Sequence, residues 1–182
     1  MILGGKIMGH QLIFVVETNK QCKSDWIYIK DTIEHFYTFD RTQIKLTVVY
    51  LNGKGNYANK EKEIKKLVTQ YASTSQTNFS DVIYCVDCDD YDTSQKDIQF
   101  LQQIWKYCSD KGHDLVWFCK DVEQVYLGKR IEKAEKKKEA ADFKRKKTIK
   151  KIQCNKLCME KYGVGTSNLM RVLDNYLGPH HL

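Results

Sequence analysis

The chain has 182 residues, 42% of them hydrophobic, with 30 Lys and Arg against 23 Asp and Glu for a formal charge of +7. That length suits one core rather than two, and 11 Tyr, 7 Phe and 3 Trp are too many for a disordered chain. Seven scattered cysteines, an odd number, set the expectation of reduced thiols rather than a disulfide framework.

Met1 to Met8 carries one lysine and no apolar stretch of signal-peptide length. The longest apolar run, Leu12 to Val16, falls far short of the roughly 20 residues of a membrane span. The expectation is a soluble cytoplasmic protein. Gln11 to Val16 reads as a buried strand, and Ser24 to Tyr37 as a helix with Ser24 or Asp25 as N-cap. Ile44 to Leu51 is a second strand, closed by the turn Asn52-Gly-Lys-Gly-Asn56. Glu61 to Tyr71 carries Ile64, Leu67, Val68 and Tyr71 at amphipathic-helix spacing. Asp81 to Val86 is the third strand, and Lys96 to Ser109 a helix with Ile98, Leu101, Ile104, Trp105 and Cys108 inward. Asp114 to Cys119 is the fourth strand, followed by a basic helix and a last amphipathic segment from Leu169 to Leu177. Strands alternating with helices predict an α/β, Rossmann-like fold: a mainly parallel sheet of about four strands, flanked by helices, with a basic C-terminal helical extension.

The charge is concentrated. Residues 129–156 hold 13 basic side chains against four acids, a net +9, which leaves the rest of the chain slightly acidic. Lys136, Lys137, Lys138, Lys144, Arg145, Lys146, Lys147, Lys150 and Lys151 are the candidate phosphate contacts for a nucleic-acid partner. A solvated helix laced by i,i+4 pairs is the plainer alternative.

In open parallel sheets ligands bind beyond the C-terminal ends of the strands. Glu17 follows the first strand, Asp87 and Asp89 the third, and Asp121 and Glu123 the fourth, so five carboxylates are expected along one edge. Crowded carboxylates repel and take up protons unless a cation neutralises them; Mg²⁺ or Mn²⁺, with oxygen ligands, is the natural partner. If Asp87 and Asp89 continue the strand, their i,i+2 spacing puts both on one face. Each acid alone is more simply a loop residue or a cap.

These segments together resemble the Toprim superfamily, and within it the RloB-like and small Toprim-like proteins. The resemblance rests on Ile13-Phe-Val-Val-Glu17, on Val48-Val-Tyr-Leu-Asn-Gly-Lys-Gly55, on Val82-Ile-Tyr-Cys-Val-Asp-Cys-Asp89 and on Trp117-Phe-Cys-Lys-Asp-Val-Glu123, in that order over about residues 11 to 128. It implies an 11–128 Toprim-like α/β domain and a 129–182 basic helical extension. It also implies Glu17 as a general acid/base, Asp87 and Asp89 as metal-binding catalytic acids, and Asp121 or Glu123 as the last acid. The chain departs from the family where Thr18 replaces the glycine that follows the glutamate, and where Asn19 to Lys23 separate it from the next acid, Asp25. The implied activity is Mg²⁺-dependent phosphodiester cleavage, with a lysine-rich arm on the DNA or RNA backbone. The alternative is a non-catalytic, phage- or mobile-element-encoded binder of nucleic acid or of a nucleoprotein such as a CRISPR effector, that is, an anti-CRISPR. Gly53-Lys-Gly55 lacks the Walker pattern and reads as a turn. Cys85-x-x-Cys88 and the Cys154/Cys158 pair lack the context for redox or zinc chemistry.

Overall fold

The computed structural model describes residues 8–181. The reading of Met1 to Met8 as free of a signal segment therefore lies, except for Met8, outside the described residues. The elements in order are β1 (His10–Val16), α1 (Ser24–Phe36), β2 (Ile44–Tyr50), a 3-10 helix (Lys54–Lys60), α2 (Glu61–Ala72), β3 (Phe79–Asp87), α3 (Gln95–Lys111), β4 (Asp114–Cys119), α4 (Val122–Leu127) and α5 (Lys136–Arg145). Two 3-10 turns (Thr148–Lys151 and Cys154–Leu157), β5 (Thr166–Ser167) and α6 (Leu169–Leu177) complete the chain.

The fold is α/β, as the strand–helix alternation predicts. One five-stranded sheet has the order β2-β1-β3-β4-β5. The first four strands in this order run parallel, and β5 pairs antiparallel with β4 through Phe118–Ser167 and Cys119–Thr166. β5 was not foreseen because two residues are too few to show an alternating pattern. β1 is inner, and six of its seven residues are fully covered, which is why it reads as an unbroken apolar run. Leu12, Phe14 and Val16 face the layer of α1, α4, α5 and α6, while Ile13 and Val15 face α2 and α3.

Three details differ from the sequence reading. Neither Ser24 nor Asp25 caps α1: Lys23, with φ 57°, occupies the cap position without a side-chain hydrogen bond, and Ser24 opens the helix. Trp105 is 61% exposed, because the stripe Leu101, Ile104 and Cys108 already fills the buried face of α3 and leaves Trp105 at its margin. The basic stretch is not one helix. α5 ends at Arg145 with Lys146 as its cap, Lys147 with φ 53° leads into the next 3-10 turn, and Ile149 and Leu157 turn inward.

Residues 129–181 also contribute to the main core. Ala140 and Phe143 of α5 are buried, and the Phe143 ring lies 4.9 Å from that of Tyr28 and 5.6 Å from that of Tyr126. The C-terminal tail docks as well: the His181 N–H donates to Phe36 O at 2.8 Å, and His180 Nδ1 lies 3.1 Å from Asp174. No helix among the described residues is long and apolar enough to cross a membrane. Four parallel strands end together at Val16, Tyr50, Asp87 and Cys119, and that edge carries the acids.

Candidate active site at the C-terminal sheet edge

Glu17 is the first residue beyond β1, and Asp87 is the last of the neighbouring strand β3. Glu17 Oε1 accepts the Asp87 N–H at 2.8 Å, and Asp87 Oδ1 accepts the N–H of Val122, the first residue of α4, at 2.9 Å. Asp25 reaches the same place from the first turn of α1. Its Oδ2 accepts the Thr18 N–H at 3.0 Å, and its Oδ1 accepts the Ser24 hydroxyl at 3.2 Å. The Gly53 N–H donates to Glu17 O at 2.9 Å, fastening the β2 turn beneath the site. Its φ of 112° is a conformation that side chains disfavour, which supports the turn reading of this glycine. Glu17, Asp25 and Asp87 line a pocket of about 550 Å³, together with Lys133, Lys136 and Lys137.

Enclosure dominates the electrostatics. Burial, then the charge of Asp25, pushes Glu17 up to about 8, against a lowering by the Asp87 N–H and by Lys54. Burial followed by the charges of Glu17 and Asp25 raises Asp87 well above the carboxylate range, and burial raises Asp25. Glu123 is fully buried and is pushed up to about 7 by desolvation, which Lys136 opposes. Lys136 Nζ lies 2.8 Å from Glu123 Oε2, a charge contact without hydrogen-bond alignment, and both Glu123 oxygens otherwise lack partners. Burial disfavours the Lys136 ammonium, but Asp87 and Glu123 outweigh it and hold the proton more firmly than in water.

Of the five acids expected to converge, Glu17 and Asp87 share the pocket, and Glu123 stands behind Lys136. Asp89 lies near enough for its charge to raise Glu17 but does not line the pocket. β3 ends at Asp87, and Asp89 has φ 49°, so strand alternation no longer sets its direction. Its carboxylate pairs with Lys54, which also donates to Asp97 at 2.8 Å. Asp121 caps α4 by accepting the Gln124 N–H at 2.7 Å and lies 3.7 Å from Arg130. Of the basic side chains singled out, Lys136 points into the pocket. Lys137, Lys138, Lys144, Arg145, Lys146, Lys147, Lys150 and Lys151 are exposed, with Arg145 and Lys146 both paired to Asp142.

Sequence reasoning gave Asp25 and Lys136 other roles. The signal for Lys136 was present: Lys136, Ala140 and Phe143 follow the i, i+4, i+7 spacing of a buried helix face. For Asp25 the signal was weaker, since only the placement of α1's first turn at the sheet edge distinguishes it from a cap.

Among the described residues, no group of three His, Cys, Asp or Glu side chains forms a ready-made metal cage. The donor chemistry still suits a hard cation. Glu17 and Asp87 each keep one oxygen without a hydrogen bond among the described residues, facing a pocket whose carboxylates repel one another. Mg²⁺ is commonly held in this manner, by one or two carboxylates with water and substrate phosphate completing the shell. No protein-family model, curated protein or solved structure matches the chain.

Proposed function

We propose that the protein is a metal-dependent nucleic-acid phosphodiesterase whose reaction centre is Glu17 with Asp87. The supporting observation is the convergence of Glu17, Asp25 and Asp87 in one pocket, where burial first and the Asp25 charge second push Glu17 up to about 8. Glu17 and Asp87 would hold a divalent cation, which when bound would polarise a phosphate oxygen and offset developing negative charge. Glu17 is the proton carrier: in the metal-free pocket its affinity for a proton lies near neutrality, and a bound cation would lower it. Asp25 positions the Glu17 loop through the Thr18 N–H. Lys136 faces the substrate side of the pocket as a fixed positive charge. The test is cleavage of labelled single-stranded and duplex DNA and RNA in Mg²⁺ or Mn²⁺, with chelator controls. Intact substrates under all these conditions would refute the activity.

The pH dependence of stability is an independent check. Glu17 and Glu123 bind a proton more tightly folded than unfolded, so the folded state carries more protons from about pH 4.5 up to about 8 for Glu17 and about 7 for Glu123. Stability must then fall as pH rises through that window. Groups facing Glu17 are Asp25, Asp87, Asp89 and Lys54; those facing Glu123 are Lys136, Asp25 and Asp121. Mg²⁺ binds the ionised site, so the expected outcome is a melting-temperature increase with Mg²⁺ that is larger at pH 8 than at pH 5. Thermal melts with and without the ion read this directly, and equal shifts at both pH values contradict it.

A second reading has its own observation. Lys137, Lys144, Lys147, Lys150 and Lys151 have no ion-pair partner among the described residues, and Lys136 already offsets charge within the site. A non-catalytic binder of nucleic acid or of a nucleoprotein, an anti-CRISPR included, would use these exposed cations and dispense with Glu17. Reversing Lys144, Arg145, Lys146 and Lys147 to Glu is expected to weaken duplex binding and reduce its salt slope by about 0.9 per lost phosphate contact. Affinity and slope unchanged in that variant would remove the arm from the interface.

A further inference from the structure

A second groove runs along the outer side of β2, the edge strand of the sheet, with a volume of about 560 Å³. Its walls carry three aromatic side chains, Trp26, Phe39 and Tyr71, and three cations, Lys30, Arg41 and Lys45. No carboxylate among the described residues lines it. Cations and rings are paired: the Arg41 guanidinium lies 5.6 Å from the Phe39 ring centre, and the Lys45 ammonium 5.3 Å from that of Tyr71. Glu34, on the rim, holds Lys30 at 3.8 Å and Arg41 at 3.4 Å, both within reach of the groove. All three rings are partly exposed.

We propose that this groove is the track for an unpaired nucleic-acid strand entering the Glu17–Asp87 pocket, an assignment that rests on the phosphodiesterase reading for its direction. Bases need flat apolar faces and phosphates need cations; interleaved, these are what a single strand requires and what a duplex, with its bases stacked inward, does not use. One wall residue, Trp26, directly follows the pocket acid Asp25 in the first turn of α1, so both cavities are built on the same helix end. The same charge pattern disfavours the other occupant of an open strand edge, a second copy of this chain. An isologous contact centred on the groove would set its three cations against an identical set.

The experiment is fluorescence anisotropy with a short labelled homopyrimidine strand, in chelator so that no turnover intervenes. Arg41→Glu/Lys45→Glu changes two exposed side chains and is expected to weaken binding at least about tenfold and to lower the single-strand salt slope by about 1.4. Phe39→Leu preserves apolar volume, removes the ring and is expected to weaken binding about five- to a hundredfold at unchanged salt slope. Full affinity in both variants overturns the proposal. So does a dimer in wild-type sedimentation that the charge reversal dissolves, or displacement of the strand by an acidic peptide but not by unlabelled single strand. Binding that survives Glu17→Gln but falls in the groove variants, with no cleavage by wild type, rejects the phosphodiesterase and leaves the track standing.

Discussion

Exchanging Glu17 for glutamine is expected to lower Mg²⁺-dependent strand cleavage by about 10²–10⁴-fold while leaving the fold intact. The substitution is nearly isosteric, and its carbonyl oxygen can still accept the Asp87 N–H that Glu17 Oε1 accepts at 2.8 Å. What disappears is the titratable proton and one charge in a crowded pocket. Because burial and Asp25 already push Glu17 up to about 8, removing its charge relieves repulsion, and the variant should melt no lower than wild type at pH 8. Lost activity with retained stability separates a role in chemistry from a role in folding. The pH profile sharpens the test: wild-type kcat/KM should climb as Glu17 gives up its proton, at a pH that falls as Mg²⁺ is raised, and the variant should lose that limb. Asp25→Asn makes the informative comparison. Asp25 supports the loop through hydrogen bonds to Thr18 and Ser24, and its charge helps raise Glu17, so the variant should change the rate and move the pH limb downward without abolishing it. Cleavage by Glu17→Gln at the wild-type rate would remove Glu17 from the mechanism.

The sheet was legible because burial on both faces forces a composition. β1, β3 and β4 are strings of apolar residues ending at polar ones, and the parallel order follows from the helices between them. The ends of those strands located Glu17 and Asp87 correctly on one edge. Beyond the last paired residue, prediction degrades for a definite reason. Strand periodicity fixes direction only while the backbone is extended, and Asp89, two residues past Asp87 but at φ 49°, turns to Lys54 instead. Asp121 was lost to the site by competition, since the first turn of α4 needs a cap and an aspartate supplies one. The basic stretch misled by its charge. Thirteen cations in 129–156 suggest a solvated arm, yet Ala140, Phe143, Ile149 and Leu157 are enough to pull the segment into the core. One of its lysines is thereby delivered to the acids.

That lysine carries the second large effect. Lys136→Met is expected to destabilise the protein by about 1–2 kcal/mol at pH 8, because Glu123, fully buried and otherwise without partners, must then take up a proton about one pH unit above its wild-type value of about 7 to avoid an uncompensated charge. Methionine keeps most of the side-chain volume, so the loss is electrostatic rather than a cavity. The sign of the pH effect follows from Glu123, which desolvation pushes up to about 7 even with Lys136 in place. Without the ammonium its proton affinity can only increase, so at pH 5 Glu123 is neutral and the variant should recover most of the loss. Adding Glu123→Gln to Lys136→Met should recover stability at pH 8 as well, since an amide carries no charge to bury. Denaturant unfolding of wild type, both single variants and the double variant at the two pH values closes the cycle. A coupling that vanishes at pH 5 identifies the buried pair as its source; equal losses at both pH values, unrelieved by the second substitution, would show that Lys136 is held by packing alone and that the charge balance of the pocket lies elsewhere.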